Sequence, residues 1–111
     1  MKLVNLEQGM PHVPLALSLL GDALRIARRE GYAAVKLIHG CGSSGKGGDI
    51  RIAVQKTLAQ QAAAGEIRAF IAGEDWRISN EPTWALLQSY PELKKDSDLG
   101  RQNRGISIVV F

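Results

Sequence analysis

Apolar positions change spacing several times along the chain, and each change predicts an element. Leu3, Val4 and Leu6 form a short apolar start, the pattern of a first strand. The stretch Gly9-Met10-Pro11-His12-Val13-Pro14 breaks regular structure, and Pro14 suits a first helical turn, where its missing N–H costs nothing. From Leu15 to Glu30 the apolar residues Leu19, Leu20, Ala23, Leu24 and Ala27 recur at helical spacing. Arg28 and Arg29 fall in the last turn, where positive charge suits the helix dipole, and Gly31 is a natural stop.

Val35 to Ile38 predicts a second strand, followed by a loop from His39 to Gly48 that contains five glycines. A second helix opens around Asp49, carries Ile50, Ala53, Val54, Thr57 and Leu58 on one face, and ends at Gly65. Ile67 to Ile71 alternates as a third strand. Residues 73–104 are less regular: Trp84 to Leu87 predicts a short helix starting near Pro82, and Lys94 to Asn103 predicts a solvated loop. Ile106 to Phe111 closes the chain as a strong strand. The order β-α-β-α-β-β predicts an α/β two-layer sandwich in one domain, residues 1–111. Its mixed sheet has about four strands, with two main helices on one face. Right-handed crossovers join parallel strands, and residues 73–104 form an enlarged insertion.

Composition narrows the class without choosing a function. Hydrophobic residues make up 45% of the chain, too many for a disordered protein and enough for one core. No apolar run reaches the roughly 18 residues that a membrane span needs, and the first residues lack the order of a signal peptide. One cysteine, Cys41, makes no internal disulfide, and the expectation is a cytoplasmic protein. A net charge of +3 permits phosphate binding without demanding it. Aromatic residues, at 5%, are too few for a row of stacked bases.

Chemistry concentrates in the glycine-rich loop. The first amides of a helix have no partners within it and point at whatever lies above its start. Glycines let the backbone approach a phosphate, while Lys46 and Arg51 add positive charge and His39 offers a hydrogen bond. The alternative is that the glycines simply make a connection, with His39 structural and Cys41 incidental. Gly40 to Lys46 also fits part of the phosphate loop of nucleotide hydrolases. There, however, Gly47 stands where a serine or threonine should meet magnesium.

Val35-Lys36-Leu37-Ile38-His39-Gly40-Cys41-Gly42 and the run from Gly48 to Val54 resemble the Smr (small MutS-related) domain family. In that family a strand leads into His-Gly-x-Gly, and a helix then starts with an arginine near its head. The strands at Ile67 to Ile71 and Gly105 to Val110 complete the order. The resemblance implies a sandwich like the C-terminal domain of translation initiation factor three. It also implies DNA or RNA binding, with nicking or cleaving endonuclease activity in some members. The binding residues it points to are His39, Gly40, Gly42 and Arg51; Ser43 lies within the same loop, and Lys46 is added on charge and position.

The first strand departs from the family pattern. Members that cut carry Leu-Asp-x-His, and this chain has Val4-Asn5-Leu6-Glu7. Asparagine cannot act as a general base, and glutamate replaces imidazole only if burial raises its pKa. The catalytic candidates are therefore Glu7, His12 and His39. No residues stand at metal-ligand spacing and no cofactor is implied; a cutting domain would call on a divalent metal. The second functional expectation is an interaction module that has lost cleavage, with Trp76 to Leu87 as a surface for a protein partner. Homodimerisation through the exposed edge of a strand such as Ile106 to Val110 is a further expectation. Arg25, Arg28 and Arg29 read either as an extension of the phosphate surface or as a solvated helix end.

Overall fold

The computed structural model describes residues 1–9, 11–41 and 46–111, residues 46 and 47 by their backbone alone. It places β1 at Lys2–Asn5, α1 at Val13–Arg29, β2 at Ala34–Ile38 and α2 at Lys46–Ala63. Further on come β3 at Ala69–Ala72, α3 at Glu81–Ser89 and β4 at Ile106–Val110. Short 3-10 turns at Gly73–Asp75 and Pro91–Lys95 flank α3.

Each long helix follows from its apolar stripe. Ala16, Leu20, Leu24 and Ala27 bury one face of α1. Ile50, Val54 and Leu58, four residues apart, do the same for α2. α1 begins two residues before Leu15 because the His12 side chain caps it: Nδ1 accepts the Leu15 amide at 3.2 Å. Gly31 and Gly65 follow the helices at φ +83° and +75°, the left-handed conformation in which a side chain is strained.

The sheet order is β1-β2-β4-β3. β1 and β2 are parallel, and β4 runs antiparallel to both its neighbours. β2 and β3 therefore point the same way, and α2 crosses over a gap one strand wide that β4 fills. Homodimerisation through β4 is corrected by this order: β4 is an inner strand with both edges bonded, and the free edges belong to β1 and β3.

Alternation along the inner strands divides the core. Val35, Leu37 and Val109 pack with α1 and α2, whereas Ala34, Ile106, Ile108, Val110 and Ile71 pack with Trp76, Leu86 and Leu87. Residues 73–104 thus cover the second face of the sandwich's sheet, which is why every residue of β4 is buried. The solvated loop expected at Lys94 to Asn103 is corrected in part. Asp96 and Asp98 turn inward to meet Lys36, which stands in β2 on the covered face with only 6% of its surface exposed.

Candidate functional site

A strand-helix-strand unit sets each helix start beside the end of the strand before it. The C-terminal ends of β1 and β2 and the first turns of α1 and α2 therefore share one edge of the sheet. β3 ends and β4 begins at that edge. In open α/β sheets ligands sit outside the carboxyl ends of strands for this reason. Between the two helix starts lies a cleft of about 260 Å³ lined by Pro11, His12, Val13, Asp49 and Ile50.

His39 extends from the end of β2 and is fully buried. Its Nδ1 lies 2.7 Å from the Gly40 carbonyl oxygen and its Nε2 lies 2.8 Å from Ser107 Oγ. A carbonyl only accepts, so Nδ1 carries the proton and Nε2 accepts from the serine hydroxyl. Burial, joined by the charge of Arg51, lowers the His39 pKa against opposing pulls from the Gly40 carbonyl and Glu7. The ring is therefore neutral at pH 7. With both nitrogens taken, it presents no free donor to a ligand. The expected direct bond from His39 to phosphate gives way to a role inside the wall.

Gly40 has φ +76°, and its amide and that of His39 both donate to the Gly105 carbonyl, at 3.1 and 2.9 Å. Gly42 and Ser43, expected to bind phosphate, lie outside the described residues, as does the side chain of Lys46; its backbone begins α2. Arg51, one turn into α2, donates from Nη2 to Glu74 Oε2 at 3.2 Å, and Arg104 Nε donates to the same oxygen at 3.2 Å. Two cations thus share one carboxylate, and the carboxylates of Asp49 and Glu7 stand at the same edge. Arg51 Nε and Glu74 Oε1 are buried with no hydrogen-bond partner among the described residues.

The three catalytic candidates are not arranged alike. Glu7 is exposed, and its amide and that of Gln8 donate to Asn5 Oδ1 at 2.9 and 3.1 Å, so Asn5 holds a turn. His12 spends Nδ1 on its helix cap. Glu7 lies close enough to His39 for its charge to bear on that ring. No group of three or more His, Cys, Asp or Glu side chains suited to a metal ion occurs among the described residues.

Other expected contributors lie elsewhere. Arg25, Arg28 and Arg29 sit at the far end of α1, around a separate cleft of about 470 Å³. There Arg25 pairs with Asp22, while Arg28 donates to the Glu66 carbonyl and stacks on Phe111. Trp76 is fully buried and donates Nε1 to Asp96 at 2.9 Å, whereas Trp84 is half exposed on α3. Sequence reasoning missed Ser107, Gln55, Glu74 and Gly105. Each reaches the site through sheet pairing or a contact between distant segments, so spacing along the chain carries no signal for it.

These features define an α/β domain with a four-stranded mixed sheet and a polar edge at its strand ends. No protein-family model, no curated protein and no solved structure matches the chain.

Proposed function

We propose that this chain is a nucleic-acid-binding domain of Smr type that takes DNA or RNA phosphates at the edge shared by the starts of α1 and α2. The observation that carries the reading is the convergence there of two helix N-termini with the guanidinium groups of Arg51 and Arg104. Binding is favoured over cleavage. Asn5 is occupied in a turn, His12 Nδ1 in a cap and His39 in the wall, which leaves, among the described residues, the exposed Glu7 carboxylate and His12 Nε2 as the uncommitted candidate groups.

Titration of a labelled duplex and a labelled structured RNA tests the reading. Affinity falls steeply as salt rises, because each neutralised phosphate releases counterions. The variant Lys46→Ala plus Arg51→Ala loses most of the binding. Absence of binding to both probes at low salt sinks the proposal. Incubation with supercoiled plasmid and structured RNA, with and without magnesium or manganese, leaves both substrates intact; nicking in any lane restores an endonuclease reading.

One observation favours a second reading, a module that binds a protein partner. Trp84 and Ile78 expose 52% and 59% of their surface, whereas Trp76 is fully buried. A partner whose capture depends on Trp84, and not on Arg51, would distinguish this use of the domain.

A further inference from the structure

Ser107 lies on β4, fully buried, yet its hydroxyl serves two other elements. It donates to His39 Nε2 at 2.8 Å, and its oxygen receives Gln55 Nε2, from the third turn of α2, at 3.5 Å. The ring it fixes donates in turn to the Gly40 carbonyl at 2.7 Å. One polar chain therefore runs from the end of β2 through β4 to α2. It ties Gly40, where the chain leaves the sheet, to the helix whose first turn faces the proposed ligand.

The backbone reinforces this tie. The amides of His39 and Gly40 share the Gly105 carbonyl, and Asn103 Oδ1 receives the Gly105 amide at 2.9 Å. A Cβ at Gly105 would meet Asn103 Oδ1 at 3.1 Å and Gly40 Cα at 3.5 Å, so the two segments are in close contact. A serine in the middle of an otherwise apolar strand (Ile-Ser-Ile-Val-Val) costs stability unless its hydroxyl is satisfied. Here both its donor and its acceptor capacity are used.

We infer that Ser107 is a positioning residue for phosphate binding: through His39 and Gln55 it fixes the Gly40 carbonyl and the start of α2 relative to each other. The inference rests on the phosphate-binding reading above. A catalytic serine is not implied, because the hydroxyl has no access to solvent.

Three variants and two readouts test it. Ser107→Ala removes the link, and Gln55→Leu, at a partly exposed helix position, removes its second half with little change of volume. Nitrogen-15 spectra of the His39 ring report the tautomer, and titration of a labelled duplex at low salt reports affinity. The wild type shows the Nδ1-protonated neutral ring. Ser107→Ala keeps the proton on Nδ1, held by the Gly40 carbonyl, but shifts the Nε2 resonance, which has lost its donor, and both variants bind about fivefold to tenfold more weakly, the worth of one ordinary hydrogen bond. Ser107→Thr, which keeps the hydroxyl, recovers both signals. Should Ser107→Ala fail to fold, Gln55→Leu decides by affinity. Undiminished binding in the folded variants overturns the inference alone, whatever the ring spectra show. No binding by the wild type overturns the underlying reading and this inference with it.

Discussion

At the scale of single residues, backbone proximity sets the strictest requirement. A Cβ on Gly73 would lie 1.7 Å from the Asn103 carbonyl oxygen and 2.8 Å from that of Ile106. Gly73→Ala therefore forces the backbone apart where β3 ends, and the expected loss is about 2 kcal/mol or more in urea unfolding. His39 gives a second test. Its folded pKa lies below the ordinary histidine value of 6.5, so the unfolded chain binds the extra proton first. The stability it contributes is complete above about pH 6.5 and declines as pH falls toward the folded pKa. Urea midpoints at descending pH, alongside the His39 ring resonances, check that direction. The sequence marked His39 and Arg51 as site residues because a strand, glycines and a helix start surround them. It held no sign that His39 would be sealed under Ser107, or Arg51 bound to Glu74, because those partners lie 68 and 23 residues away.

At the scale of elements, most of the fold was legible. Helical spacing, alternation and helix-stopping glycines located all four strands, both long helices and α3 to within a few residues. The shifts have local causes. α1 starts early because a histidine acts as its cap, an uncommon choice that the Pro-flanked run concealed. His12→Ala is expected to cost about 1 kcal/mol in thermal unfolding, and His12→Asn to recover most of it by supplying another acceptor for the Leu15 amide. α3 is capped in the ordinary way. Asn80 Oδ1 accepts the Thr83 amide at 3.1 Å, and Pro82 sits in the first turn.

For the whole molecule, the decisive contact is the one that fastens residues 73–104 to the sheet. Lys36 Nζ meets Asp96 at 2.8 Å and also Asp98. Asp96 receives the Trp76 indole, and Asp98 receives the Asn103 amide at 3.0 Å. Burial works against the lysine's charge, but the two carboxylates outweigh it and raise its pKa. The Asn103 hydrogen bond and then Lys36 lower the pKa of Asp98. The lysine's contribution is complete below about pH 10.5 and is lost as pH rises through its folded pKa. That of Asp98 is complete above about pH 4 and is lost as pH falls through its own. The fastening consequently holds across the neutral range. Lys36→Ala strands two partly buried carboxylates and is expected to cost about 3 kcal/mol in urea unfolding, with earlier protease cleavage within residues 73–104 as a second readout.

By itself the amino-acid order determined which segments become strands and helices, because hydrophobic periodicity, caps and helix stops act over a few residues. It also determined that the glycine-rich run stands between a strand and a helix. Only the tertiary structure decided that β4 enters between β2 and β3, that residues 73–104 seal the second face, and that Ser107, Gln55 and Glu74 join the candidate site. Those outcomes depend on pairing between segments far apart along the chain. Such pairing is chosen by the burial and hydrogen bonding of the assembled sheet, and no local pattern encodes it.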